Sequence, residues 1–358
     1  MLRIENLSPR SLSFAAHALA LADVFEANAG ATVAPSLAVG PTHGVTVTTA
    51  AYYGGCNLWD GRAFLAPADA LAPAVFDPDG DTLTHLSAHG VAGGESFGGA
   101  VQIDDDTVVM IPYEATHMGR VSLSSGAYSQ GAYVATYPQY RTGILTTKGD
   151  RRVIVMATVG AGNVGYYYPD SDTFEAGPAL TGSYSARLLP DGRILFIRSG
   201  SAACQILDVE TGVLTAGANL GGGRGATLLT DGRFVQCPAT SGNIFSATFA
   251  GALATTSPAL AAVTNKFVGC AFAPNGDVIF APFDYQSVLG WRPSTNALIA
   301  GAAVTADDYY NGALSLRDGR VLFIPHKAAA VGLYTHCTGL STTMPSSAIA
   351  SAYYNQAA

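Results

Sequence analysis

At 358 residues the chain is long for one ordinary domain, although closed all-β folds accommodate that length without a second one. Charged side chains are 12% of the residues, mean hydropathy is +0.25 and the net charge is −8. Without a Lys/Arg cluster this balance excludes nucleic acid, whose phosphates demand a basic patch, and no apolar run reaches the roughly 18 residues that span a bilayer. The excess apolar character is expected to serve a core and a contact surface for other subunits, so an oligomer or larger assembly is expected.

Residues 6–30 read as a helix. Ser8 can cap it, Pro9 suits the first helical position, Gly30 stops it, and Leu12, Ala16, Leu19 and Phe25 fall on one side. Arg3 and Arg10 ahead of Leu12 to Ala22 resemble a secretory leader, but Glu5, Ser13 and His17 interrupt that pattern and retention is expected. Thr32 to Gly44, with Pro35, Gly40 and Pro41, reads as an extended linker. Residues 1–44 are therefore expected to form an anchor, and 45–358 the main domain.

From there a turn followed by a β-branched strand recurs at Gly61, Asp106, Gly149, Gly192, Gly232, Gly276 and Gly319, in steps of 40 to 45 residues. A second turn follows each, at Gly80, Gly126, Asp172, Gly212, Gly251, Asn296 and Gly339. The cleanest copy, Ser183 to Leu220, is two hairpins around Asp191-Gly192 and Thr211-Gly212, hence four short strands. One such sheet cannot bury its own faces; seven in phase predict an all-β, seven-bladed β-propeller with four-stranded blades.

An aromatic nine residues before the first turn also recurs, at Tyr52, Phe97, Tyr140, Phe267 and Tyr310, with Ser183 and Gly223 as exceptions. Side chains repeated in phase are expected to pack between blades. The same spacing reaches Tyr354, so 346–358 is expected to be a closing tail. Cys56, Cys204, Cys237, Cys270 and Cys337 lie in five different repeats without a CxxC pair, which predicts buried free thiols.

LLPDGRILF, LSLRDGRVLF and LLTDGRFVQ resemble the blades of kelch-like and galactose-oxidase-like propellers, although every copy lacks the Gly-Gly doublet of kelch repeats, and no copper ligand carries over. The arrangement of an N-terminal segment before an Ala/Gly-rich, low-charge propeller is similar to bacteriophage structural proteins that display a propeller on tail or capsid.

Several local patterns have plain structural explanations. Gly160-Ala161-Gly162-Asn163-Val164-Gly165 matches GxGxxG, but Tyr166-Tyr167-Tyr168-Pro169 follows where a dinucleotide site needs a helix. Asp77-Pro78-Asp79-Gly80-Asp81 has carboxylates spaced for calcium, yet it falls at the repeated second turn. Gly221 to Gly225 reads as an inter-blade loop. No cofactor, metal or catalytic set is expected.

Both repeated turns must share one face of the disc, which leaves the variable loops to the other, the side on which repeat proteins often bind. That loop face is expected to carry Tyr113, Glu114, His117, Tyr137, Arg141, Arg198, Arg224, Asp284, Tyr285, Asp307, Asp308, His326 and Lys327. Aromatics beside acids and donors suit sugar rings. The expected function is a non-enzymatic virion structural or attachment protein, docked to other virion proteins through its helix and offering the loop face to a host-surface glycan or to neighbouring subunits. The alternatives are a secreted or periplasmic polysaccharide enzyme or lectin, and a cytoplasmic protein-interaction scaffold.

Overall fold

The computed structural model describes residues 32–44, 50–91, 94–135, 138–189, 191–200, 203–229, 233–248, 253–304 and 309–337. They form seven four-stranded antiparallel sheets. The fourth blade consists of Ser183–Leu188, Ile194–Arg198, Ala203–Leu207 and Leu214–Asn219, the four strands expected of that stretch. In every blade the first strand is innermost. The seven inner strands are Tyr52–Asn57, Phe97–Gln102, Tyr140–Lys148, Ser183–Leu188, Gly223–Leu228, Phe267–Phe272 and Tyr310–Ser315, and each lies against the inner strands of the two flanking blades.

Burial falls from the axis outward. The inner strand Tyr52–Asn57 and its partner Ala63–Pro67 are buried throughout, whereas the outer strand Thr82–His85 is mostly exposed. Strands covered on both faces must be apolar without alternation, which is why AFLAP, VIFAP and VLFIP are continuous runs. The in-phase aromatics Tyr52, Phe97, Tyr140, Phe267 and Tyr310 are all buried, as structural packing requires. At the two exceptions, the Ser183 hydroxyl donates to Ile197 O (3.2 Å), while Gln236 occupies the space that a side chain at residue 223 would fill.

The recurrent Asp-Gly-Arg is a turn staple. In the first, fourth and seventh blades the Asp carboxylate (Asp60, Asp191, Asp318) accepts both the backbone N–H and the Nε–H of the arginine two residues on (Arg62, Arg193, Arg320). Four described cysteines, Cys56, Cys204, Cys237 and Cys270, are free and buried as expected. They are less scattered than their repeats suggest: the Cys237 and Cys270 thiols meet between the fifth and sixth blades, and burial, then this contact, raises the Cys237 pKa.

Closure of the ring corrects the sequence-based plan. Residues 32–42 are extended, but they are the fourth strand of the seventh blade rather than a linker, pairing antiparallel with Ala330–Cys337 (Ser36 opposite Thr335, Val39 opposite Gly332). The propeller therefore begins at or before Thr32. The expected helix over 6–30, the second turn at Gly339 and the tail 346–358 lie outside the described residues. Arginines reinforce the same seam: Arg317 pairs with Asp77 (3.2 Å) and Asp79, and Arg320 with Asp81 (2.6 Å), so the carboxylates of the calcium-like turn are held by the seventh blade.

Removing residues 1–43 should strip the edge of Ala330–Cys337 and open the seam. The expected result is concentration-dependent association on size-exclusion chromatography and a lowered urea midpoint, because an unpaired strand edge templates pairing between molecules.

Candidate functional site

Each inner strand carries one extra residue just after its first position. In the first blade Tyr52 lies opposite Pro67 but Gly54 lies opposite Ala66, and the same shift recurs in all seven. A bulge leaves its residue outside the ladder and re-aims its side chain. The residues that follow the in-phase position, Tyr53, Gly98, Arg141, Tyr184, Arg224, Val268 and Asn311, thus form one layer where the inner strands leave the loop face.

Arg141 organises this layer. Its guanidinium carbon lies 4.6 Å from the Tyr53 ring centre and 5.3 Å from that of Tyr184, and Nη2 donates to Asn311 Oδ1 (2.7 Å). Tyr53 and Asn311 belong to the first and seventh blades, neither of which flanks the third, so Arg141 reaches across the axis. Gly98 of the intervening blade makes room: a Cβ there would lie 2.6 Å from Arg141 Cα. Arg224 lies on Tyr184 as well, its guanidinium carbon 4.9 Å from the ring centre. Desolvated cation–π contacts of this kind contribute up to about 2 kcal/mol each.

Loop residues frame the layer. Tyr113 meets Tyr53 edge-on (5.3 Å), His326 stacks on the same ring (5.7 Å, 11° between planes), and Phe283 backs His326 (5.1 Å). The Tyr53 hydroxyl donates to Glu95 Oε1. Burial and then this hydrogen bond raise the Tyr53 pKa against the pull of Arg141, so Tyr53 stays a neutral donor. Burial lowers the Arg141 pKa, with neighbouring Arg224 adding to the effect, but a guanidinium remains charged throughout the physiological range.

Of the loop-face residues expected from the sequence, Tyr113, Arg141, Arg224 and His326 converge here. Tyr285 packs instead on Phe267 (4.8 Å) in the core between the fifth and sixth blades. His117 is edge-on to Tyr133 of its blade's outer strand, away from the axis, and the Arg198 Nε donates to Thr181 O (2.9 Å). Glu114 and Asp284 donate their backbone N–H groups to Glu95 O and Asn265 O, Lys327 is exposed beside His326, and Tyr137, Asp307 and Asp308 lie outside the described residues. The sequence reading missed Tyr53, Tyr184, Glu95 and Asn311, and it placed Arg141 on the loop face without setting it at the centre. The available signal was the residue after each in-phase position, where Tyr, Arg, Tyr, Arg and Asn occur in five of seven copies.

Other arrangements are structural. Asp277, Arg292 and His336 join the sixth and seventh blades on the turn face, with Asp277 accepting from Arg292 Nε (2.8 Å) and Nη2 (2.7 Å) and lying 2.6 Å from His336 Nε2. The Asp277 carboxylate and the His336 ring are both almost fully enclosed, which leaves no room for a substrate beside them. Gly160 to Gly165 is the end of the turn after Arg151–Thr158 and the first half of the next strand of the third blade, Ala161–Tyr168. Among the described residues no group of His, Cys, Asp and Glu is placed to hold a metal.

Burial works to raise the Asp277 pKa, but the hydrogen bonds from His336 and Arg292 prevail and lower it. Its stabilising contribution is therefore complete above the unfolded carboxylate value of about 4 and is lost as pH falls through the lower folded value. Asp277→Asn should cost about 3 kcal/mol at neutral pH and weaken the acid dependence below about pH 4. Urea midpoints measured across that range check both effects.

The architecture defines the class: a seven-bladed β-propeller of four-stranded blades. No protein-family model and no curated protein matches the sequence. Solved structures do. A streptogramin B lyase aligns with TM-score 0.70 and 15% identity over 84% of this chain and 98% of that one. Virginiamycin B lyase from Staphylococcus aureus gives 0.68 and 15% over 84% and 99%, and the WD40 repeats of RRP9 give 0.63 and 9% over 86% and 100%. At these identities the likeness is one of fold, and it points to neither a kelch nor a bacteriophage family.

Proposed function

We propose that this propeller is a recognition module carried on a virion, a structural or attachment protein whose loop face binds a host-surface glycan without catalysing a reaction. The observation that carries the proposal is the cluster at the channel mouth. Tyr53, Tyr113, Tyr184 and His326 supply ring faces and edges for the apolar side of a sugar, and Arg141, Arg224 and Asn311 supply donors for its oxygens.

The path of the chain supports display. Thr32 pairs with Cys337 at the turn-face end of the seventh blade, so both strand ends lie on the face opposite the cluster. A tether on one face leaves the other free for a ligand. The 12% charged composition suits a propeller that packs against neighbours.

On an array of oligosaccharides the purified chain should retain a defined subset, and Tyr184→Ala should weaken that binding by about tenfold, the value of one lost ring contact. Imaging of particles from the source should show the chain with its loop face outward. Failure to bind any oligosaccharide would sink the glycan assignment, and absence of the chain from particles would sink the virion one.

A further inference from the structure

Building on the glycan proposal, we infer that the group recognised at the channel mouth is an oxyanion: Arg141, Arg224 and Asn311 form a seat for the carboxylate or sulfate of an acidic sugar. Arg141 is 8% exposed, and among the described residues only the Nη2 donors of its five N–H groups meet an acceptor, Asn311 Oδ1. Arg224, half-buried, shares the Tyr184 ring with it. Among the described residues neither guanidinium forms an ion pair, and the acid beside the cluster, Glu95, is engaged by the Tyr53 hydroxyl.

Two cations thus converge on one ring without an ion-pair partner among the described residues, in a place where burial weakens their hydration. Buried charges are ordinarily paired, and like charges side by side raise each other's cost. Asn311 is in the same condition: at 1% exposure its Nδ2 has no acceptor. One negatively charged group would answer all three, because a planar oxyanion accepts the fork of a guanidinium through two oxygens and leaves lone pairs for the amide. Tyr184, half-buried beneath both arginines, holds the two guanidiniums side by side where that group would be seated.

The test uses the full chain and four probes at constant ionic strength: glucuronate, glucose 6-sulfate, the neutral methyl glucoside and inorganic sulfate. Calorimetry should show at least one acidic sugar binding ten times or more tighter than the neutral one. Arg224→Gln and Arg141→Met should each lower that affinity by about ten- to a hundredfold, the worth of a charge-assisted hydrogen bond, and lower that of the neutral sugar by a clearly smaller factor, so that the preference for the acidic sugar collapses. Arg224 is partly exposed, so its variant keeps the test sound should the Arg141 variant fold poorly.

Acidic sugars binding no tighter than the neutral one would overturn the oxyanion seat and leave the glycan proposal standing. If no sugar binds but inorganic sulfate still raises the thermal midpoint in an Arg224-dependent manner, the seat stands and the glycan proposal falls. If neither sulfate nor glucuronate distinguishes the wild type from Arg224→Gln, the seat is refuted.

Discussion

The structure depends on backbone meeting backbone around the axis. A Cβ on Gly54 would lie 2.5 Å from Gly98 O, one on Gly98 would lie 2.6 Å from Arg141 Cα, and one on Gly225 would lie 2.9 Å from Gly269 Cα. Only residues without side chains permit such approaches, and the approaches set the radius of the inner ring. A narrow ring in turn lets Arg141 of the third blade touch the first and the seventh. The channel-mouth cluster is thus a product of glycine placement as much as of the residues that form it.

A single four-stranded sheet is unstable in isolation because both its faces are apolar, and the circular arrangement removes that problem by making each blade a neighbour's cover. The solution has one weak point, the seam where first and last blades meet. Here it is closed by a strand from the beginning of the chain paired to one near residue 337, reinforced by Arg317 and Arg320 on the carboxylates of the first blade. Surface ion pairs contribute little singly, but these belong to a network that includes the Asp318 staple.

Seven blades and their four strands were legible because the turn residues are local: glycine at a tight turn followed by an apolar strand needs no distant partner to be recognised. The closing strand was not, since Ser36 meets Thr335 across the whole sequence and nothing near Pro35 or Pro41 signals that pairing. The site was legible in part. Tyr113 and His326 stood out by being irregular among regular repeats, and Arg224 by the glycine run before it, whereas Tyr53, Tyr184 and Asn311 stand next to in-phase positions with no such mark. A strand that alternates strictly would place them in the wall between blades; the bulge that sends them to the axis leaves no trace in the pattern of apolar residues.

The direction of the closing strand has a mechanical consequence. A pull between residue 31 and a ligand on the loop face would run along Thr32–Thr42, from the turn-face end toward the loop-face end, and load its hydrogen bonds to Ala330–Cys337 together, in shear. A pull that separated residue 31 from residue 338 would instead open the same pairing one bond at a time, beginning at Thr32 opposite Cys337. The seam is thus built to resist force transmitted through the disc and to yield to force that parts the two ends of the chain.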